Sequence, residues 1–279
     1  MKKIYRRSFL AAAGLSVAAL ALTACGGSSA STASSVASSA ASSEAASTSA
    51  AAGELTTVEA GKLTMATNAA FPPYEMTTDA GEFEGIDIET AQAIADKLGL
   101  ELQIDDMDFD AALLSVQQGK ADIVMAGVTV TDERKAVMDF SDSYATGIQS
   151  IVVPEGSDIA SPDDLAGKKI GTQRGTTGYI YCSDDFGDEN VVAYDDGLTA
   201  VQALNNGQVD AVVIDNAPAK EFVAANPGLV ILDTSYAEED YAIGVAKGSS
   251  LKDAVNAALE ELKADGTLQS IVDKYITAE

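Results

Sequence analysis

The sequence predicts an α/β fold with mostly parallel sheets, on three observations. Short apolar runs alternate with amphipathic helical segments along most of the chain. Several helical segments end at a glycine, which is a common helix stop. The 279 residues suffice for one large domain or two modest ones. A chain of β and α units of this size is typical of a sheet covered by helices.

The first half supplies three predicted strands and two predicted helices. The strands are residues 62–67, 101–105 and 121–127, and the helices are residues 86–99 and 111–119. The first helix carries one apolar stripe and ends at Gly99 as its C-cap. The members of that stripe are Ile88, Ala91, Ile94, Ala95 and Leu98.

The second half continues the alternation. Its predicted strands are residues 150–154, 168–173, 209–215 and 241–247. Its predicted helices are residues 199–207, 217–228, 249–266 and 267–276. The third of these helices begins at two serines that can cap it and stops at Gly266.

The excess of acidic residues and the lack of histidine argue against several classes of partner and of catalysis. The chain has 17 Lys and Arg against 43 Asp and Glu, a net charge of −26. Nucleic acid and anionic lipid surfaces favour clustered cations, so neither is an expected partner. The chain contains no histidine, which removes the usual general base, the Ser-His-Asp triad and the commonest transition-metal ligand. No catalytic residue is predicted, although carboxylate, lysine or tyrosine chemistry stays open.

The N-terminus is a targeting segment. Residues 1–24 combine a cationic start with an apolar stretch that is too short to span a membrane. The stretch ends in "LTACG", which resembles a bacterial lipobox with Cys25 as the lipidated residue. We therefore expect export and a lipid anchor on the outer face of the cytoplasmic membrane. "RRSFL" also resembles a twin-arginine signal, so Sec and twin-arginine export both stay open.

Residues 25–57 form a predicted flexible tether. They are almost entirely Ser, Ala, Thr and Gly up to Gly53, and such a segment buries too little apolar surface to fold. The tether would let a folded domain range above the membrane. Glycosylation of its serines and threonines stays open. Beyond Cys25 the mature chain would keep only Cys182, so no intrachain disulfide is expected.

Ligands of α/β sheets bind beyond the carboxyl ends of the strands. The segments that could hold a ligand are therefore residues 68–71, 126–129, 173–177 and Asp215.

The spacing of the residues argues against two other kinds of site, a calcium loop and a nucleotide-binding loop. Asp106-x-Asp108-x-Asp110 begins like a calcium loop, but Ala111 and Gln117 occupy the positions that need Gly and Glu. Asp110 is instead expected to cap helix 111–119. The glycines of residues 171–178 match neither a Walker loop nor a dinucleotide fingerprint, so no metal and no cofactor are predicted.

The four segments that could hold a ligand, taken together, resemble those of extracellular solute-binding protein family 3. "GIDIETAQAIADKLG" follows the family signature, and "DGTLQSIVDKY" matches the usual C-terminal ending. "DIVMAGVTVTDERKAVMDFSDSY" is similar to the glutamine-binding type in particular. The resemblance covers about residues 63–276, and it departs at Thr90, where an aliphatic residue is usual. These proteins bind polar amino acids for ABC importers.

The resemblance implies a type II periplasmic-binding-protein-like fold. Two α/β lobes would be joined by a two-strand hinge, with the ligand in the cleft between them. Lobe 1 would comprise residues 58–146 and 247–279, and lobe 2 residues 150–239. The hinges would lie near residues 145–150 and 241–246. Closure of the lobes would trap the ligand.

The resemblance also implies roles for the residues that hold the ligand's α-carboxylate. Arg134 would bind it through its planar guanidinium, which can donate two parallel hydrogen bonds. One lobe would add Thr129 and the backbone of Gly127. The other would add Thr176 and Thr177 at a helix start, which favours anions.

The remaining ligand groups have other expected partners. Asp215 would bind the α-ammonium, and it can also cap the helix that follows. Phe71 and Phe109 match the aromatic positions that sandwich the ligand. Asn68 and Gln173 lie where the family selects the side chain. Both are neutral, which favours glutamine, with cystine or another polar amino acid as alternatives.

The sequence therefore predicts a non-enzymatic, monomeric amino-acid-binding lipoprotein that delivers its ligand to an ABC permease. Arg174 is a cation in the segment 173–177, so an acidic amino acid also stays open as the ligand. Two other functions stay open for the same scaffold: a dehydratase of cyclic acids, and the ligand-binding subunit of a sensor.

Overall fold

The structure is a computed structural model that describes residues 55–276. The predicted signal peptide, the lipidation site Cys25 and all but the end of the predicted tether lie outside the described residues. Within residues 55–276, no helix is both long enough and apolar enough to cross a membrane.

The first part of the described chain alternates short strands with three helices. Its strands are β1 (Lys62–Thr67), β2 (Ala70–Phe71), β3 (Glu75–Thr77), β4 (Phe83–Glu84), β5 (Glu101–Asp106) and β6 (Ile123–Val124). Its helices are α1 (Ile86–Leu98), α2 (Phe109–Gln117) and α3 (Asp132–Val137). Strands β2, β3 and β4 form a separate three-stranded antiparallel sheet that the sequence pattern did not predict.

The remaining elements begin with a strand of 17 residues. The strands are β7 (Met138–Pro154), β8 (Ile170–Gln173), β9 (Val191–Tyr194), β10 (Ala211–Asp215), β11 (Leu229–Ile231) and β12 (Ala237–Ala246). The helices are α4 (Thr177–Phe186), α5 (Gly197–Asn205), α6 (Asn216–Ala225), α7 (Leu251–Ala264) and α8 (Thr267–Tyr275).

Nine strands form one mixed sheet in the order β5-β1-β6-β12-β7-β10-β8-β9, with β11 paired to β7. Strand β1 is parallel to β5 and β6, and β8 is parallel to β9 and β10. Between these two parallel groups, β7 and β12 run antiparallel to each other. The expectation of mostly parallel sheets holds within each group. The two long central strands make the whole sheet mixed, as in the type II fold.

The apolar core divides in the same way. Two clusters draw their buried residues from positions 63–145 and 241–271. Two others draw theirs from positions 151–229. The chain therefore builds one core, crosses along β7, builds the second core, and returns along β12. Helices α7 and α8 then pack with α1 on the first core. The strands that cross between the cores connect the two walls of the cleft described below.

Two sequence predictions need correction. Asp110 does not cap α2, because the helix begins earlier and its N-cap is Asp108; the Asp110 side chain accepts from the N–H of Ala111 inside the first turn. The predicted strand 150–154 is only the end of β7. Its earlier residues are strand because they pair with β12, a partner almost 100 positions away that local periodicity cannot reveal.

Candidate functional site

The carboxyl ends of β1, β8 and β10 open onto one cleft. All ten sequence-predicted ligand residues line it: Asn68, Phe71, Phe109, Gly127, Thr129, Arg134, Gln173, Thr176, Thr177 and Asp215. Six further residues, none of them predicted as a ligand residue, also line the cleft: Glu75, Ala126, Gln149, Val213, Ile214 and Tyr241. The structure thus brings together residues that are up to 147 positions apart in the predicted set and 173 positions apart in the full set.

Arg134 is placed by the first turn of α3. Thr131 is the N-cap of this helix, and its side chain accepts a hydrogen bond of 3.2 Å from the Arg134 N–H. The guanidinium reaches back from there into the cleft. Its Nη1 donates to the carbonyl oxygen of Thr129 at 2.8 Å, and its Nη2 donates to that of Gly175 at 3.2 Å. The ring of Phe109 lies beneath it, with 5.3 Å between Cζ and the ring centroid.

The charge of Arg134 is not neutralised locally. The residue is only 8% exposed, and within residues 55–276 no carboxylate oxygen forms an ion pair with it inside 4.0 Å. Burial lowers the pKa of Arg134, and the negative charge of Glu239 partly opposes this effect. A buried cation is costly unless it is paired, and an arginine carries more N–H donors than its two carbonyl contacts use. The surroundings of Arg134 therefore suit an incoming anion.

The two cleft threonines meet at a buried acid. Thr129 and Thr177 each donate a hydroxyl hydrogen bond to Oε2 of Glu239, at 3.0 Å and 2.9 Å. Gln149 donates to the same oxygen at 3.0 Å. Glu239 lies on β12, and no sequence motif pointed to it. Thr176 instead acts locally, as the N-cap that accepts from the N–H of Tyr179.

Asp215 ends β10 and caps α6. Its Oδ1 accepts from the N–H of Ala217 at 2.9 Å, which confirms the predicted capping role. Its Oδ2 accepts from the N–H of Ile148 at 2.8 Å and from the hydroxyl of Tyr241 at 3.1 Å. Burial raises the pKa of Asp215 to about 6 despite these donors. The carboxylate is thus ionised at neutral pH, and Oδ1 keeps capacity for one further donor.

Asn68 and Gln173 contact each other. Nε2 of Gln173 donates to Oδ1 of Asn68 at 2.8 Å and also to the carbonyl oxygen of Asp195 at 3.2 Å. Nδ2 of Asn68 donates to the carbonyl oxygen of Met107 at 3.0 Å. Both side chains are therefore held in place, and they present neutral amides to this end of the cleft.

Phe71 and Tyr241 line another wall of the cleft, and the ring of Tyr74 packs against both. The ring centroid of Tyr74 lies 5.7 Å from that of Phe71 and 5.5 Å from that of Tyr241. Gly127 adopts a φ of +55° beside Phe71, and a Cβ there would come within 2.9 Å of the Phe71 ring. Glycine is thus required at position 127 both by its backbone conformation and by the close approach of the ring.

Two buried acids lie behind this wall. Glu75 and Asp87 are both 0% exposed. Oδ2 of Asp87 accepts from the N–H of Gly127 at 3.1 Å and from the hydroxyl of Tyr144 at 2.8 Å. Glu75 lines the cleft, and its carboxyl group interacts with that of Asp87; among residues 55–276 no N–H group donates to its oxygens.

Residues 63–278 match the family model for bacterial extracellular solute-binding proteins, family 3. The chain belongs to this family. The resemblance drawn from the sequence motifs is thereby confirmed, and so is the amino-acid-binding class of the relatives.

The relatives differ in their ligands. The chain is 34% identical to the L-cystine-binding protein TcyJ of Escherichia coli K12, over 79% of this chain and 85% of that protein. It is also 34% identical to the arginine-binding extracellular protein ArtP of Bacillus subtilis 168, over 78% and 87%. Among solved structures, an ancestral arginine-binding protein bound to glutamine matches with a TM-score of 0.75 and 42% identity, over 79% of this chain and 100% of that one.

Proposed function

We propose that this protein captures a polar amino acid by lobe closure and delivers it to an ABC permease. The observation that carries the proposal is the buried Arg134 guanidinium, which faces the cleft without a carboxylate partner in the described chain. An α-carboxylate supplies the missing charge. Asp215, on another wall of the same cleft, supplies the opposite charge for the α-ammonium.

The remaining contacts follow from the same placement. Phe71 and Phe109 offer apolar faces to the ligand's carbon atoms. Gly127, Thr129, Thr176 and Thr177 surround the carboxylate end. The two threonines that donate to Glu239 can rotate their hydroxyls toward a ligand, because a hydroxyl hydrogen is free to turn.

Glutamine is the ligand that we propose first. Asn68 and Gln173 present neutral amides, and an amide side chain can both donate to and accept from them. Because some relatives bind cystine or arginine, amino acids with other polar side chains are alternative ligands.

We further propose the lobe limits given by the sequence: residues 58–146 with 247–279, and residues 150–239, with hinges near 145–150 and 241–246. Side-chain hydrogen bonds cross between these lobes. Gln173 donates to Asn68 and Arg134 donates to the carbonyl oxygen of Gly175. Thr129 donates to Glu239 and shares a hydrogen bond with the hydroxyl of Thr177. Opening of the lobes for ligand entry would break them. The proposed binding cycle therefore has three steps: the lobes open, the ligand enters, and the lobes close on it.

Isothermal titration calorimetry with the twenty standard amino acids and cystine tests this function. We expect saturable binding of at least one polar amino acid, with glutamine first. Failure of every one to bind would refute the proposal. Turnover of prephenate or arogenate would point instead to a dehydratase on the same scaffold.

We also propose that Cys25 carries a lipid and that residues 25–57 tether the domain to the membrane. The support is the lipobox-like "LTACG" and the Ser/Ala-rich composition that follows it. Labelling of bacteria with a fatty acid should mark the wild-type chain and not Cys25→Ser. Equal labelling of both would exclude this anchor.

A further inference from the structure

Three acids follow one another on β12, and only the middle one is buried. Glu238 and Asp240 are exposed, whereas Glu239 is 7% exposed. Strand geometry accounts for the pattern, because successive side chains point to opposite faces. A glutamate is seldom buried without partners that satisfy its charge. The partners of Glu239 therefore indicate what it does.

Three donors from three segments of the chain converge on one oxygen of Glu239. Its Oε2 accepts from the hydroxyl of Thr129 at 3.0 Å, from the hydroxyl of Thr177 at 2.9 Å and from Nε2 of Gln149 at 3.0 Å. The two hydroxyl oxygens lie 3.4 Å apart. Hydrogen bonds to an ionised acceptor are stronger than neutral ones. Glu239 therefore ties Thr129, which precedes α3, to Thr177, the first residue of α4.

The same two segments anchor the guanidinium of Arg134. Its Nη1 donates to the carbonyl oxygen of Thr129 at 2.8 Å, and its Nη2 donates to that of Gly175 at 3.2 Å. Gly175 lies two positions before Thr177. Among the described residues, Glu239 is not one of those that line the cleft. It thus fixes, through two threonine side chains, the segments whose backbone orients the arginine.

The charge of Glu239 reaches both charged groups that line the cleft. Burial lowers the pKa of Arg134, and the charge of Glu239 opposes this effect. Burial also raises the pKa of Asp215, and the charge of Glu239 adds to this effect. A bound amino acid carries one carboxylate and one ammonium, on which the same charge acts with opposite signs. Its net pull on the ligand is therefore small, and its hydrogen bonds carry its effect.

We propose that Glu239 is a positioning residue of the binding site: by tying Thr129 to Thr177 it holds the two backbone anchors of Arg134 in place and slows release of the ligand. Under the proposed lobe limits the two threonines belong to different lobes, so the tie crosses the cleft and must break before the ligand leaves. A threonine whose hydrogen stays on Glu239 can still accept a hydrogen bond from the ligand. This inference rests on the proposed capture of an amino acid.

Stopped-flow tyrosine fluorescence tests the role in this chain, which has no tryptophan. The probes are glutamine, arginine and cystine. Glu239→Ala removes the acceptor, and we expect release about tenfold or more faster, with association changed less than about threefold. Glu239→Gln keeps one neutral oxygen as acceptor and should release the ligand about threefold faster than wild type. Because Oε1 of Glu239 accepts no hydrogen bond, the new amide nitrogen displaces no donor there.

Glu238→Ala is the matched control, because Glu238 is the exposed neighbour on the same strand, and it should bind as wild type. Circular dichroism checks that each variant folds. An acid that serves only the fold would lower the urea midpoint without separating the association rate from the release rate. If Glu239→Ala does not fold, Glu239→Gln decides, and its release at the wild-type rate overturns the proposal.

Hydrogen exchange of the ligand-free chain tests the tie without any ligand. In Glu239→Ala the amides of residues 127–134 and 175–181 should exchange at least about threefold faster than in wild type. Those of α1, which packs on the first core away from the tie, should keep the wild-type rate.

The outcomes separate this inference from the function beneath it. A wild-type chain that binds no amino acid refutes the proposed function, and the exchange rates then decide whether Glu239 ties the two segments. Where the wild type binds, a release rate of Glu239→Ala within about threefold of wild type overturns only the role of Glu239. Equal changes in association and release, or unchanged exchange in both segments, also overturn it.

Discussion

At the scale of single residues, the position of Arg134 depends on a local helix cap and on contacts that its side chain makes in the cleft. Thr131 caps α3 and so fixes where the arginine starts. The side chain then binds two carbonyl oxygens and covers the Phe109 ring. These contacts orient the guanidinium without neutralising it. A preorganised, desolvated cation of this kind binds a carboxylate more strongly than an exposed arginine does.

Replacing Arg134 by alanine should remove most of the ligand affinity. We expect a loss of about 2–5 kcal/mol, because the ligand carboxylate would remain buried without its charged partner. Titration calorimetry measures the change. Arg174→Ala is the control: Arg174 lies on the same loop as Thr176, is 53% exposed at its side chain and should be nearly neutral. A change of less than about tenfold for Arg134→Ala would contradict the assignment.

At the scale of elements, β7 and β12 cross between the two cores and also contribute residues to the cleft wall. Their pairing shifts register next to Tyr241, on both sides of Ala242. Tyr241 is 1% exposed, and its ring lies over Gly147 of β7. Its hydroxyl donates to Asp215 in the cleft. The crossing strands therefore connect, through the side chain of Tyr241, to a carboxylate that lines the cleft.

Gly147→Ala should disrupt this connection. The new Cβ would lie within 2.6 Å of Cε1 of Tyr241, so the ring must move away from Asp215 and Tyr74. We expect a loss of about 1–3 kcal/mol in the free energy of unfolding. Urea unfolding followed by circular dichroism measures it. Thr146→Ala, an exposed neighbour on β7, is the control. If the urea midpoint of Gly147→Ala is unchanged, the Tyr241 ring moves without a loss in the free energy of unfolding, and the prediction is wrong.

At the scale of the whole molecule, the buried acids make stability depend on pH. Asp87 and Asp215 each have a pKa of about 6 in the fold, against about 4 in an unfolded chain. The folded state therefore binds these protons more tightly than the unfolded state does. Stability from these groups is present at low pH and is lost as pH rises through the window from about 4 to about 6.

Acidification from about pH 7 to about pH 5 should therefore stabilise the fold. We expect about 1 kcal/mol from each of the two carboxyls, and relief of repulsion in a chain of net charge −26 acts in the same direction. Surface acids with lowered pKa, such as the partly exposed Asp139 and the exposed Asp265, have the opposite effect on stability, and solvent screens their interactions. Urea unfolding at both pH values tests this. A fall in stability on acidification would contradict it.

Much of the site was predictable from sequence because its signals are local. The strand ends and the Asp215 cap are each defined by residues that lie within a few positions of one another. The predicted family and fold are confirmed, and all ten predicted ligand residues line one cleft. Asp110 was misplaced because the start of α2 depends on Phe109, which packs in the core.

The sequence by itself determined the alternation of β and α units, the strand ends where a ligand could bind and the cation at the centre of the site. Only the tertiary structure decided the length of β7, which depends on pairing with the distant β12. It also decided the burial and the hydrogen-bond partners of Glu239 and Tyr241. The charge and partners of a buried group depend on which donors and charges surround it, and those come from segments that meet only when the chain folds.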